Sequence, residues 1–348
     1  MAAFSGSGRK DEECGGDSIR AEGIKKRFGN TQALDSIDLV VEPNSIFALL
    51  GPNGSGKTTF IRILTTLLQP DSGTASVGGF NVTREPEKVR RIIGLAGQYP
   101  AVDEDLNGRE NLEMIGRLYH LGIRQARSRA VELLEQFQLS GASSKRVRFY
   151  SGGMRRRLDL AATLVGSPRI LFLDEPTTGL DPQSRLALWD VIARQAYGCN
   201  TVFLTTQYLE EADRLAHKIA IIDRGRIIRT GTPAELKECC GGESRIILKV
   251  SDPGRTGETL EALKGIATEG RRIVPQTGEI NFPAGNGSSS LFRVVERLRG
   301  TDIDIKELAL KQPTLDDVFL AITGHTAEEE AGPAAPAQAR AGRKSGDG

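Results

Sequence analysis

An apolar run, a glycine-rich turn and a run with helical periodicity follow one another directly between residues 45 and 68. The first run, SIFALLG, has the length and composition of a buried strand. The turn GPNGSGKTT, Gly51–Thr59, fits the pattern G-x-x-x-x-G-K-[ST]. Its glycines allow successive backbone N–H groups to turn inward around an anion, and the helix that starts here adds the positive end of its dipole. The segment therefore predicts a strand, a phosphate-binding loop and a helix.

The side chains of this loop have the chemistry of a nucleotide site. Lys57 supplies positive charge near the β and γ phosphates, and Thr58 can coordinate Mg²⁺. The predicted nucleotide-binding residues of the loop are Gly51, Pro52, Asn53, Gly54, Ser55, Gly56, Lys57, Thr58 and Thr59.

A second apolar strand ends in two carboxylates, in the segment ILFLDEP at residues 170–176. Asp174 is placed to hold Mg²⁺, usually through water, and Glu175 to orient or deprotonate an attacking water. These are the two acidic roles that phosphoryl transfer needs. A surface strand that happens to end in acids is the alternative. The phosphate loop in the same part of the chain favours the catalytic interpretation.

Short β-rich runs alternate with helical stretches from about Ile19 to Leu236, which predicts an α/β domain with a largely parallel sheet. In its middle, NLEMIGRLYHLG and RQARSRAVELLEQFQL have helical spacing with no strand between them. They predict a helical insert at about residues 98–165.

The junction KECCGGES separates this domain, placed at residues 18–240, from a second one at 241–323. Beyond the junction the pattern predicts strand, helix, two strands, helix, strand and helix. This is a small α+β domain without a visible active-site constellation, and a packing or dimerisation module is favoured. The ends, 1–17 and 324–348, lack apolar periodicity and are predicted to be disordered.

Composition narrows the function classes. Lys plus Arg is 46 and Asp plus Glu is 45, so the chain has no global field with which to hold nucleic acid. No apolar run reaches the roughly 18 residues needed to cross a bilayer. The amino terminus lacks the apolar core of a secretory signal, and the four cysteines include no CxxC pair. A reducing cytoplasm is expected.

A second glycine turn runs into a helix at YSGGMRRRLDLAATLV, which starts at residue 150. Such a turn can present N–H groups to an anion, but these residues alone leave open whether it faces the same nucleotide. The ordered set GPNGSGKTT, Gln98, SGGM, ILFLDEP and GLDP (Gly179–Pro182) resembles the ATP-binding-cassette (ABC) ATPases over about residues 19–236.

The resemblance implies the P-loop NTPase fold of an ABC nucleotide-binding domain with an inserted helical subdomain, followed here by the small C-terminal α+β domain. It also implies a head-to-tail homodimer. In that dimer Ser151 and Gly153 of one copy close on the γ-phosphate held by Lys57 of the other, with Gly152 in the same nucleotide-binding turn.

Three further roles come from the resemblance. Asp181 helps the two sites to communicate, and Gln98 serves as a metal-binding and catalytic residue. Phe28, in KRFGN, stacks on adenine in place of the family's more usual tyrosine, although the residues alone fit a core aromatic equally well.

One position departs from the family. A histidine usually follows the strand after GLDP, whereas TVFLTTQYLEEADRLA places Gln207 there. Glutamine can donate a hydrogen bond to a γ-phosphate oxygen but carries no titrating proton. An inactive site is the alternative, and intact Lys57, Asp174 and Glu175 favour a catalytic role for Gln207 in an active one.

Three segments narrow the resemblance to the daunorubicin/doxorubicin-resistance branch: TTQYLEEAD, GQYPAVDEDLNGREN and LKQPTLDDVFLAITG. This branch implies ATP and Mg²⁺ as cofactors and export of hydrophobic, anthracycline-like drugs through a separate multi-span membrane subunit. It also implies a peripheral location on the cytoplasmic face of the membrane.

The partner surface is expected beside Gln98. An apolar set either forms a groove for a partner helix or packs the insert: Tyr99, Leu106, Leu112, Ile115 and Tyr119. The run Arg155–Arg157 is predicted as a solvated helix face. A soluble cassette acting on DNA or the ribosome and a non-hydrolysing regulatory cassette are the alternatives. The single phosphate loop and near-neutral charge disfavour the first, and no nucleic-acid partner is expected.

Overall fold

The computed structural model describes residues 18–98, 100–197, 200–239, 244–266, 271–274, 276–285, 288–311 and 314–323. Tyr99 and both ends predicted to be disordered lie outside the described residues. Among the described residues, every helix is too short or too polar to cross a lipid bilayer.

The strands are β1 (Ile19–Phe28), β2 (Thr31–Val41), β3 (Ile46–Leu50), β4 (Ser72–Val77), β5 (Phe80–Asn81), β6 (Ile93–Ala96), β7 (Ile170–Asp174), β8 (Thr201–Thr206), β9 (Lys218–Asp223), β10 (Arg226–Gly231), β11 (Arg245–Val250), β12 (Arg272–Val274), β13 (Glu279–Pro283) and β14 (Ile305–Lys311). The α-helices are α1 (Lys57–Leu64), α2 (Pro86–Ile92), α3 (Gly108–Leu118), α4 (Ile123–Gln136), α5 (Gly152–Thr163), α6 (Pro182–Tyr197), α7 (Leu209–Leu215), α8 (Pro233–Cys239), α9 (Thr256–Ala262), α10 (Ser288–Leu298) and α11 (Leu315–Thr323).

The central sheet has the order β10-β9-β3-β8-β7-β6 and is parallel except for β10, so the predicted α/β fold is confirmed. Strands β3, β7 and β8 are buried along their whole length, as strands covered on both faces must be. Their carboxyl ends meet at one edge of the sheet. The phosphate loop, the two acids of ILFLDEP and Gln207 all lie at this edge.

The helical insert consists of α3, α4 and α5 between β6 and β7. Helix α3 begins with a reciprocal cap, in which Asn107 Oδ1 accepts from Glu110 N and Glu110 Oε2 accepts from Asn107 N. Leu112 is buried and Ile115 packs against the same core. These two members of the predicted groove therefore pack the insert, whereas Tyr119 is exposed.

The central sheet and the helices that cover it are called the α/β body below. An antiparallel sheet of order β2-β1-β4-β5 covers one face of this body and was not predicted from the sequence. The buried residues of this antiparallel sheet pack with residues of α1 and of the central sheet in one hydrophobic core. The hairpin between β1 and β2 ends at Phe28 and Thr31, next to the phosphate loop.

The C-terminal part forms an antiparallel sheet of order β12-β13-β11-β14, which packs with α9 and α10 around its own core. The order of elements agrees with the predicted α+β pattern. Helix α11 does not pack in this C-terminal core. Its residues Leu315, Val318 and Phe319 belong to the core of the α/β body, where α11 contacts α7 and α8. The domain limits drawn from the sequence stay a prediction.

Candidate nucleotide site

The phosphate loop is shaped by close backbone approaches. Gly56 has a left-handed φ of 109°, and a Cβ there would lie 2.6 Å from the carbonyl oxygen of Ala33. A Cβ on Gly51 would lie 2.2 Å from the carbonyl oxygen of Ile222. Larger residues would therefore push the loop away from both neighbouring segments.

A cavity of about 200 Å³ opens over this loop. It is lined by Thr31, Gln32, Ala33, Asn53, Gly54, Gly56, Lys57, Thr58, Thr59, Gln98 and Glu175. The structure thus brings Gln98 and Glu175 from distant parts of the sequence to the phosphate loop.

Lys57 is 4% exposed and is fixed by three oxygen atoms. Its Nζ donates to the carbonyl oxygens of Gly51, at 2.7 Å, and Pro52, at 2.9 Å. The same nitrogen lies 3.2 Å from Glu175 Oε1. Burial lowers the pKa of Lys57, whereas the charges of Glu175 and Asp174 oppose that shift. The loop therefore holds a buried cation beside the cavity.

Oxygen-bearing side chains meet at the end of β7. Thr58 Oγ1 donates to Asp174 Oδ1 at 3.3 Å, and Thr205 Oγ1 donates to the same atom at 2.6 Å. Gln98 Nε2 lies 3.2 Å from Thr58 Oγ1. A hydroxyl, a carboxylate and an amide carbonyl are the ligand types that Mg²⁺ takes from proteins, so these residues fit the ion.

Glu175 adopts a left-handed backbone conformation with a φ of 47°, which is unusual for a residue with a side chain. Its N–H donates to Thr205 Oγ1 at 3.1 Å, and its carboxylate pairs with Lys57. These contacts hold a strained residue at the cavity wall.

Gln207 directly follows β8 and is half-buried at the same edge of the sheet. Asp181 lies at the start of α6, where it accepts from Ser184 N at 2.9 Å and from Ser184 Oγ at 2.6 Å. These hydrogen bonds lower the pKa of Asp181. Phe28 is 50% exposed, with Lys26 Nζ 5.7 Å from its ring centroid, and does not line the cavity described above.

The second glycine turn, Ser151–Gly153, is named the signature turn below. Ser151 caps α5 by accepting from Met154 N at 3.2 Å, and Ser151 and Gly152 are exposed. Gly153 is buried, and a Cβ there would lie 2.5 Å from Ser184 Oγ. The signature turn therefore packs beside Asp181 and does not line the cavity over the phosphate loop.

Sequence reasoning missed two residues behind this site. Thr205 holds Asp174 by a hydrogen bond. The sequence feature that could have identified Thr205 is its hydroxyl group near the carboxyl end of a predicted strand. Arg156 is 6% exposed, which corrects the prediction that Arg155–Arg157 form a solvated face. The sequence around Arg156 carries no signal of its burial, because the groups that surround it come from other segments.

Comparison with known proteins finds relatives over most of the chain. The family model described as ABC transporter matches residues 34–178. The daunorubicin resistance ATP-binding protein DrrA2 of Streptomyces coeruleorubidus is 48% identical over 313 residues, which cover 90% of this chain and 97% of that protein. The daunorubicin/doxorubicin resistance ATP-binding protein DrrA of Streptomyces peucetius is 45% identical over 315 residues, covering 90% and 94%. A solved ATP binding subunit of an ABC transporter superposes with a TM-score of 0.58 at 26% identity, covering 64% of this chain and 93% of that structure.

Proposed function

The chain belongs to the ABC transporter family, in its daunorubicin/doxorubicin-resistance branch, and on that premise we propose that it powers export of hydrophobic drugs through a separate membrane subunit. As a cassette of this family it is an ATPase. The observation that carries the proposal is identity of 45–48% to two drug-resistance ATP-binding proteins over 90% of the chain. Lys57, Asp174 and Glu175 are intact beside the cavity.

Binding starts at the phosphate loop. Backbone N–H groups of the loop and the amino terminus of α1 bind the phosphates of ATP. Lys57 releases the carbonyl oxygens of Gly51 and Pro52 and pairs with the β and γ phosphates instead. Phe28, at the tip of the adjacent hairpin, stacks on the adenine ring.

Thr58, Asp174 and Gln98 would hold Mg²⁺, which neutralises charge on the phosphates as the terminal bond breaks. Glu175 orients the attacking water and accepts its proton. Gln207 donates a hydrogen bond to a γ-phosphate oxygen. Because an amide does not titrate near neutral pH, Gln207 positions the phosphate without exchanging a proton.

The signature turn completes the site of a second copy. Ser151 and Gly152 are exposed and do not line the chain's own cavity, so their N–H and O–H groups can meet a nucleotide that a second copy holds. A nucleotide bound between two copies stabilises only the closed dimer, and hydrolysis removes that preference. Asp181, packed beside the signature turn, links the two sites.

Closure and opening of the dimer can drive transport only if the chain binds to a membrane protein. We place the chain on the cytoplasmic face, held by a multi-span partner that contacts the helical insert near Gln98. A cassette acting on nucleic acid is disfavoured by the near-neutral charge of +1.

Mixed dimers test the head-to-tail arrangement. Lys57→Ala removes one phosphate loop and Ser151→Arg blocks one signature turn, so each homodimer should be inactive. A dimer with one copy of each variant retains one intact composite site if the turn acts across copies, and none if it acts within its own chain. Recovered ATPase activity in differently tagged, co-purified mixed dimers supports the proposal, and complete inactivity contradicts it.

Transport is tested in cells. Expression of the chain together with its genomic membrane neighbour should lower drug accumulation, and the Glu175→Gln form should not. ATPase activity stimulated by nucleic acid, without any association with a membrane protein, would overturn the transport proposal.

A further inference from the structure

The three consecutive arginines after the signature turn have different surroundings. Arg155 donates to the carbonyl oxygens of Val147 and Arg148 and pairs with Glu104 Oε1 at 2.9 Å. Arg157 Nη1 donates to the carbonyl oxygen of Phe137 at 3.2 Å. Both arginines therefore hold segments of the helical insert to each other.

Arg156 instead reaches out of the insert to the nucleotide site. Its Nε donates to the carbonyl oxygen of Pro176 at 2.7 Å, and its Nη1 donates to that of Gly97 at 2.6 Å. Its Nη2 contacts the carbonyl oxygens of Asp174, at 3.3 Å, and Glu175, at 3.5 Å. One buried guanidinium thus bonds to the residue that precedes Gln98 and to the whole turn that carries the two acids.

Asp159, one turn further along α5, completes the connection. Its Oδ2 lies 3.2 Å from Arg156 Nη1, and its Oδ1 accepts from Ala101 N at 2.7 Å. Burial raises the pKa of Asp159, and the hydrogen bond from Ala101 and the charge of Arg156 oppose that shift. The pair therefore holds both ends of the loop that contains Gln98.

Building on the proposed function, we propose that Arg156, with Asp159, is a positioning residue that links the signature turn to Gln98 and Glu175 of its own chain. Arg156 lies five residues after Ser151 on α5, about 7.5 Å along the helix axis. A shift of α5 when the signature turn closes on the partner's nucleotide moves this guanidinium with it. Gln98 and the turn at Glu175 then move together, so closure of one site adjusts the geometry of the other.

Arginine suits this role because of its shape. A planar guanidinium offers five N–H donors in a fixed fork, which is how Arg156 meets carbonyl groups from two loops and a carboxylate at once. A lysine keeps the positive charge, but its three donors all leave one nitrogen, so it cannot reproduce the spacing at which the Arg156 fork meets the carbonyl oxygens of Gly97 and Pro176. The substitution Arg156→Lys separates charge from geometry.

The two neighbours in the same run supply matched controls, Arg155→Lys and Arg157→Lys. For each purified full-length protein, five quantities are measured: Tm, kcat for ATP, KM for ATP, the Mg²⁺ concentration for half-maximal activity, and affinity for a fluorescent ATP analogue without Mg²⁺. Arg156→Lys should lower kcat about tenfold and raise the half-activating Mg²⁺ concentration several-fold, because small displacements of reacting groups are costly. Affinity without Mg²⁺ should stay within about twofold, as should all parameters of both controls.

A purely structural role predicts a different result. In that case kcat follows the loss of Tm in all three variants and the Mg²⁺ dependence does not move, which would overturn the inference. If Arg156→Lys does not fold, Asp159→Asn keeps the side-chain volume and weakens one end of the same connection. It should shift the Mg²⁺ dependence in the same direction, and an unchanged value would also overturn the inference. An inactive wild-type protein would instead contradict the proposed function itself.

Discussion

Two glycine turns of this molecule run into helix amino termini, and they are completed in different ways. The phosphate loop is enclosed by its own chain: Lys57 is 4% exposed and pairs with Glu175, and Gly51 and Gly56 touch neighbouring backbone. The signature turn exposes Ser151 and Gly152. The same local motif is therefore enclosed in one case and open in the other, depending on which distant segments pack against it, and the proposed function assigns catalysis to the first and a dimer interface to the second.

The largest expected effect is the loss of ATP turnover when Glu175, beside the enclosed phosphate loop, is replaced. Glu175→Gln keeps the shape of the side chain but removes the proposed base, so turnover should fall by up to about 10⁴-fold. ATP binding should remain, and dimers should accumulate with Mg²⁺ and ATP in size-exclusion chromatography. Glu210→Gln, at an exposed glutamate on α7, is the control and should hydrolyse ATP normally. Rapid hydrolysis by the Glu175→Gln protein would exclude Glu175 as the base.

Substitution in the signature turn should also reduce ATP turnover, but it should leave ATP binding to the monomer almost unchanged. Ser151→Arg places a bulky cation where a partner's γ-phosphate site should close, so turnover should fall by about a thousandfold, as when a transition-state donor is lost. ATP binding to the dilute monomer should change less than about twofold, because the phosphate loop is complete without the turn. Ser140→Arg tests an exposed serine of the same insert and should be active. Lost monomer binding in the Ser151→Arg protein would mean that the turn acts within its own chain.

The α/β body, which carries the phosphate loop, is also expected to depend on helix α11 for its stability. Phe319 on α11 is 1% exposed and lies in the core shared with α7, the helix that follows Gln207. Phe319→Ala should reduce the free energy of unfolding by about 3 kcal/mol or more through the cavity it leaves. Phe292 on α10 is 69% exposed, and Phe292→Ala should leave the unfolding midpoint in urea nearly unchanged. Equal midpoints for the two variants would mean that α11 does not stabilise the α/β body.

The segments that meet at the phosphate loop could be recognised in the sequence because their signals are local. The phosphate loop and the acids after β7 each combine a strand, a turn and a chemical pattern within a few residues, and parallel strands bring their carboxyl ends together. Gln98 and Gln207 were identified through resemblance, since a single amide carries no local signal. The N-terminal antiparallel sheet was not predicted, although β1 alternates buried and exposed residues as a half-buried strand does.

Long-range packing explains what the sequence did not reveal. The run Arg155–Arg157 contains identical residues, and only the fold places Arg156 against Gly97 and Pro176. The apolar face of α11 was visible as a helical period, but periodicity does not identify the surface that a helix covers. Charge and periodicity describe a residue's own segment, whereas burial is decided by segments that are distant in sequence.

The smallest expected effect concerns a carboxyl buried behind the enclosed site. Glu211 on α7 is fully buried, and its Oε1 accepts from Trp189 Nε1 at 2.9 Å. Burial raises the pKa of Glu211, while the hydrogen bond from Trp189 and the charge of Arg185 oppose the shift. A carboxyl with a raised folded-state pKa binds its proton more tightly in the folded protein. Its contribution to stability is therefore complete below the ordinary glutamate pKa and is lost as the pH rises through the folded-state value.

Glu211→Gln keeps an acceptor for Trp189 and cannot ionise, so it should be more stable than the wild type at pH 7.5 by about 1 kcal/mol, or roughly 2–4 °C in Tm. The difference should shrink as the pH is lowered towards 5, because the wild-type carboxyl then takes up its proton without cost. Glu210→Gln, at the exposed neighbour, should show no such trend. A Glu211→Gln protein that is less stable than the wild type at pH 7.5, by a difference that shrinks towards pH 5, would mean that the fold requires the ionised carboxylate, and that buried charge stabilises the region behind the phosphate loop beyond the pair of Lys57 and Glu175.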